Sequence, residues 1–247
     1  MDTKTSARVV GALFLTATAA GVLSVVLLGP LDTLSSPQSI ADQATRISAG
    51  ALMVLVMAGA IVMIPPTLFP VLKDHGEALA LGYVAARIVE VVLLLPAFVG
   101  PLMLVAIGTS QSDAGIPADA SHLDTVRVLS QTQDLWTFAG SSVFFCLGAL
   151  LLNVLLYRSR LVPRWLAGWA LVALVPYLAD ACLVVFGALT VSSAIHPVLV
   201  LPLALNEMVL AVWLLTKGFR APSSPAERGL PLTNVHRREV PQADAAQ

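Results

Sequence analysis

The sequence predicts an all-α membrane protein: a polytopic six-transmembrane-helix bundle over residues 1–219, with both termini cytoplasmic. Three observations carry this expectation. Of the 247 residues, 57% are apolar and 12% charged, where soluble domains carry about 25% charged residues. Six stretches each hold the roughly 20 apolar residues that a helix needs to cross a bilayer. The cations are segregated along that path. Lys4, Arg8, Lys73, the arginines at 158–164 and the basic residues from Lys217 onward fall on one side, against Arg46 and Arg127 on the other. Cytoplasmic loops collect Lys and Arg, which places both ends inside.

The first span covers 9–28 and is closed by Gly29-Pro30. Lys4, Arg8 and Ala17-Thr18-Ala19 imitate a signal peptide, but the apolar run is long enough to span and reads as a retained helix. The second, 47–72, contains Pro65, Pro66 and Pro70, which are expected to kink or interrupt it. The third, 78–105, carries Pro96 and Pro101 in its outer half. The fourth, 122–158, starts where Ser121 and Asp124 have the spacing of a capping box, with Asp in place of Glu. It would be about 55 Å long against a hydrocarbon core of about 30 Å. Its first turns, with Arg127, Gln131 and Asp134 on one face, should therefore project from the membrane. Trp136 there is either an interfacial anchor or part of a lid.

The fifth span, 164–187, has Pro163 at its first turn, and the sixth covers 197–217. Residues 220–247, rich in Pro, Ser and charge, are expected to be a disordered cytoplasmic tail. Small residues at Ala17, Gly21 and Ala58-Gly59-Ala60 allow close helix approach. Cys146 and Cys182 lie in apolar runs and read as buried packing residues.

The third span organises the rest. Tyr83, Arg87, Glu90 and Leu94 recur at helical spacing, so two charges share one stripe inside an apolar helix. A charge at the bilayer centre costs about 2.5 to 3.5 kcal/mol, so such a stripe faces the bundle interior and a partner. Asp180 and Glu207 are the other intramembrane acids, with Tyr177 one turn before Asp180 and Asn206 beside Glu207. One arginine against three carboxylates implies that at least one acid is held neutral, because burial without a countercharge disfavours ionisation.

At the later helices the chain becomes recognisable. LWTFAGSSVFFCLGALLLNVLLYRSRLVPRWLAGWALV, then PYLAD and NEMVLAVWLLTKGF, resemble the bacterial membrane-protein family labelled domain of unknown function 4386. ARVVGALFL and AARIVEVVLLL fit it too, and the resemblance covers about residues 7–219. It implies a multi-pass protein of the bacterial inner membrane and no particular reaction.

The polar residues therefore form either a hydrogen-bond network that fixes helix register or a pocket for a small lipophilic molecule. A pocket leaves three activities open. Glu90, Asp180 and Glu207 are candidate acids for an acid–base enzyme, such as one resembling terpene cyclases, with Tyr83, Arg87, Trp136, Tyr177, Asn206 and Trp213 contacting substrate. Glu90 and Glu207, with Pro65 or Pro66 and Pro176 in the preceding helices, suit the two halves of an inverted-repeat, proton-coupled transporter. A lipid-sensing accessory subunit is the third. The expected partners are the bilayer and such a ligand. No basic stripe or glycine-rich phosphate loop points to nucleic acid or nucleotide, and no cofactor or metal is implied. His75, His122, His196 and His236 lack ligand spacing, and Lys4, Lys73 and Lys217 lie outside the spans.

Overall fold

The computed structural model describes residues 2–31, 34, 36–115, 124–129, 132, 136, 140–191 and 193–220. Seven helices organise them: α1 (Thr3–Leu28), α2 (Pro37–Asp42), α3 (Ala44–Leu94), α4 (Pro96–Asp113), α5 (Ser141–Ser159), α6 (Arg164–Val185) and α7 (Ile195–Thr216). Residues 124–129 are also helical, and the described residues contain no strand. Five helical runs are long and apolar enough to cross a membrane, with α3 and α4 counted as one run, Ala44–Asp113. The chain is a multi-pass membrane protein.

That long run would measure about 105 Å if straight. It is instead folded back on itself at Gly76, whose φ of 158° and ψ of 87° interrupt α3. Glycine reaches this conformation without a steric cost that a Cβ would impose. The packing pairs record the reversal. Leu72 shares a cluster with Ala80, Val54 and Ala58 pack with Leu94 and Ala97, and Ile47 packs with Leu104. Partners lie farther apart in sequence the farther they are from Gly76, as in an antiparallel hairpin.

The interruption is thus at Gly76, not at the prolines. The helix continues through Pro65, Pro66 and Pro70. Each removes one backbone donor, a loss that neighbouring helices and local hydroxyls relieve in membrane helices. Thr67 Oγ1 donates to the Met63 carbonyl at 2.8 Å in that turn. The expected third span also ends sooner. The α3 arm stops at Leu94 and α4 begins with Pro96 at its first turn, where the missing N–H costs no internal bond.

Contacts close the helices into a ring: α1 on α3, α3 on α5, α5 on α6, α6 on α7, and α7 back on α1. At one end Ala7, Leu72, Leu156, Val162 and Leu214 belong to a single core cluster. There Arg220 N–H donates to the Leu161 carbonyl at 2.9 Å. The segregated cations from Lys4 to Arg220 therefore gather at this basic end. At the far end Leu31, Leu34, Ile40, Ile47, Leu104 and Val126 form a cap. Its short helix α2 is started by Ser36, whose hydroxyl accepts from Ser39 N–H at 3.1 Å, while Ser39 Oγ accepts from Ser36 N–H at 3.2 Å.

The expected fourth span is observed as Ser141–Ser159. Ser121, His122, Gln131, Asp134 and the tail 221–247 lie outside the described residues; of the expected long helix, 124–129, 132, 136 and 140 are described, all in helical conformation. Two packing expectations need correction. Cys146 is buried but Cys182 is exposed on the outer face of α6. A Cβ built on Gly59 would meet nothing within 4 Å, so that glycine makes no close approach. Gly21 does sit close, with a Cβ 2.9 Å from Met57 Sδ, and the tightest approach to a backbone atom is at Gly11, where a Cβ would fall 2.7 Å from the Ala211 carbonyl oxygen.

Candidate functional site

The second arm of α3 carries the polar stripe inward. Tyr83, Arg87, Glu90 and Leu94 are all buried, as their helical spacing requires. Arg87 Nη1 lies 2.9 Å from Glu90 Oε2 and 3.0 Å from Oε1, one turn away on the same helix. Both carboxylate oxygens thus use a single guanidinium nitrogen. The other, Nη2, points to Glu207 of α7, 3.6 Å from its Oε1. That separation is longer than a hydrogen bond, so the Glu207 contact is electrostatic and the Glu90 contact is the tight one.

The guanidinium also lies against aromatic rings, 5.1 Å from the Phe145 centroid and 5.8 Å from that of Tyr83. Such faces attract a cation and help offset its loss of water. Gly148 of α5 leaves room for the stem of Arg87, since a Cβ there would already be 3.5 Å from Arg87 Cδ. The ring of helices and the spacing on α5 together fix where this charge sits.

Beside the ion group is a cavity of about 440 Å³. Phe14, Met57, Ile61 and Phe145 supply apolar wall; Arg87, Glu90 and Glu207 form a polar patch; Thr18, Ser142 and Tyr177 add hydroxyls. Tyr177 packs on Phe145 with ring centroids 4.9 Å apart. Glu207 keeps 22% of its side chain accessible, against 3% for Arg87 and 6% for Glu90. It is the carboxylate that presents itself to the cavity. Past the Gly11–Ala211 crossing, α1 and α7 both border this space, and Val25 on its wall is 70% exposed on the outside of the bundle. The cavity thus approaches the lipid-facing surface along α1.

The family model described as Domain of unknown function (DUF4386) matches residues 9–218. The chain belongs to that family. No curated protein and no solved structure matches it.

In this DUF4386 protein, the residues singled out from sequence separate into a cavity group and others placed away from it. Arg87, Glu90, Glu207 and Tyr177 line the cavity, and Tyr83 is packed beneath Arg87. Asp180 is elsewhere. Its Oδ2 lies 2.8 Å from His196 Nδ1, so α6 and α7 are joined there by an acid–imidazole pair near the far end. Asn206 is buried and donates to the Leu166 carbonyl at 2.9 Å, which ties α7 to α6. Trp213 packs on the core cluster at the basic end, with the Arg220 guanidinium 5.9 Å from its ring. Trp136 is half exposed and does not line the cavity.

Sequence reasoning missed Ser141, Ser142, Thr18 and Ser24, all of which line the cavity. Ser141, Phe145 and Gly148 do recur at helical spacing, and that seam faces Arg87. A search for small and hydroxyl residues in phase with Gly148 would have found it. Among the described residues, no group of three His, Cys, Asp or Glu side chains is placed to hold a metal ion.

Proposed function

We propose that this protein spans the bacterial inner membrane six times and binds a small lipophilic molecule in the cavity beside Arg87, Glu90 and Glu207. The observation that carries the reading is the combination of about 440 Å³ of largely apolar space with one compact patch of charge on its wall. Ligand sites are typically apolar hollows with a few placed polar groups. A network that served only register would pack closed, because voids forfeit dispersion contacts.

The six-span topology rests on the hairpin at Gly76, which divides the Ala44–Asp113 run into an outgoing and a returning arm. The gathering of cations at one end then assigns that end, and both termini, to the cytoplasm. Reporter fusions at Asp113 and at the carboxyl terminus should report opposite compartments. Both reporting the same side contradicts the topology.

Binding is favoured here over cyclisation. A carbocation enzyme needs aromatic faces around the reacting carbon; of the aromatics expected to contact substrate Tyr177 lines the cavity and Tyr83, Trp136 and Trp213 do not, while Phe14 and Phe145 add the other ring faces. Native mass spectrometry of the full chain in mild detergent tests the reading. The protein should retain a noncovalent, solvent-extractable adduct, and Ala204→Phe, which fills the cavity from α7, should remove it. A wild-type protein without an adduct, or an adduct untouched by Ala204→Phe, contradicts the pocket.

A further inference from the structure

The charges around the cavity are unbalanced, and the imbalance selects a ligand. Among the described residues, Arg87, Glu90 and Glu207 are the charged groups that border it, contributed by α3 and α7; α1, α5 and α6 bring hydroxyls, the Tyr177 phenol included, and apolar groups. Glu90 holds Arg87 at 2.9 Å with both carboxylate oxygens on one nitrogen. Glu207 stands 3.6 Å off and is the more open to the cavity. One cation therefore faces two acids, and the surplus acid is the one a ligand meets first. In a medium of low dielectric an unmatched charge pair dominates recognition. An anionic head group would meet two carboxylates and an arginine already engaged.

We propose that the cavity takes a lipophilic amine, with its ammonium on Glu207 and its apolar body along Phe14, Met57 and Phe145. This rests on the pocket reading above and names its ligand class. An ammonium brings three N–H donors. Glu207 accepts one, and the hydroxyl oxygens of Ser142 and Tyr177, on the same cavity wall, are acceptors for the others. The aromatic pair Phe145–Tyr177 adds ring faces that favour a cation over a neutral head. At about 30 Å³ per heavy atom, as for liquid water, the cavity holds roughly fifteen such atoms. That suits a single short chain or one ring with a tether, and it is too small for a two-chain phospholipid.

Three probes of one shape separate the charge states: phenylbutylamine, phenylbutanol and phenylbutanoate. Binding to the full chain in zwitterionic lipid nanodiscs is measured by calorimetry, with empty nanodiscs subtracted. The amine should bind saturably and at least about tenfold more tightly than the alcohol, the gain expected of a charge-assisted hydrogen bond. The acid should not saturate. Glu207→Gln should bring the amine down to the alcohol, and Ala204→Phe should abolish binding of both. Wild-type affinities in which the alcohol equals the amine, or in which the acid binds best, overturn the amine proposal without needing any variant. If that binding is still lost in Ala204→Phe, the pocket itself stands. Amine binding unchanged by Glu207→Gln also overturns the proposal. Saturable binding by none of the three overturns the pocket and the proposal together.

Discussion

Replacing Arg87 by methionine should destabilise the bundle by about 3 to 5 kcal/mol, the range for breaking a buried ion pair by removing one partner. The cost is that of two acids left without their cation, more than that of a lost bond. Glu90 is 5% exposed and sits one turn along the same helix, so little solvent can replace the lost cation. Methionine keeps the apolar stem that packs against Gly148 and removes the guanidinium, so most of the loss is electrostatic. Glu207→Gln alone should cost less than about 1 kcal/mol, because its 3.6 Å contact is not a hydrogen bond and Glu90 still matches the arginine. Reversible unfolding in mixed micelles measures both. A mild Arg87→Met would mean that the carboxylates do not depend on it.

Gly11→Leu should be the most damaging of the glycine replacements, at about 1 to 3 kcal/mol. A side chain there meets the Ala211 carbonyl oxygen at 2.7 Å and Leu215 Cγ at 2.8 Å. Leucine side chains can rotate aside, but a helix backbone cannot, so α7 must move off α1. Glu207 lies one turn from Ala211 on α7 and would be drawn away from Arg87. The variant should therefore weaken ligand binding as well as stability. Gly59→Leu is the matched control. It enters open space, and replacing helical glycine should leave stability unchanged or slightly raised. Equal losses at the two positions would show that the close contact at Gly11 does not set the effect.

Much of this arrangement is legible in the sequence because the bilayer enforces simple rules. Two apolar runs match their helices closely, 164–187 against Arg164–Val185 and 197–217 against Ile195–Thr216, whereas 9–28 lies within a helix that starts at Thr3. The Tyr83–Arg87–Glu90–Leu94 stripe is buried because its helical phase permits nothing else. What failed to show depends on tertiary placement. Asp180 is a carboxylate like Glu207, but it lies nearer the far end and meets His196 rather than Arg87. Nothing in a one-dimensional pattern fixes the rotation of α6 about its axis, and that rotation decides the partner. The reversal at Gly76 falls between the expected spans 47–72 and 78–105, so its place is legible; the interruption expected at Pro65, Pro66 and Pro70 is what the helix does not show. Proline removes one bond from a helix that can otherwise continue, whereas reversing the chain needs a backbone state that glycine supplies. The hydroxyl wall at Ser141 and Ser142 is marked only by its phase with Gly148, because serine in a membrane helix bonds its own backbone as readily as a ligand.

The claim on which the rest depends is that Arg87 is the shared counter-ion of one buried group. A double-mutant cycle on unfolding free energy measures that directly, using Arg87→Met, Glu90→Gln and the pair. Coupling is predicted: the double variant should recover about half of the loss seen in Arg87→Met, because a neutral amide no longer needs the cation. Losses that simply add would mean that Arg87 and Glu90 do not interact in the folded protein, and would contradict the site.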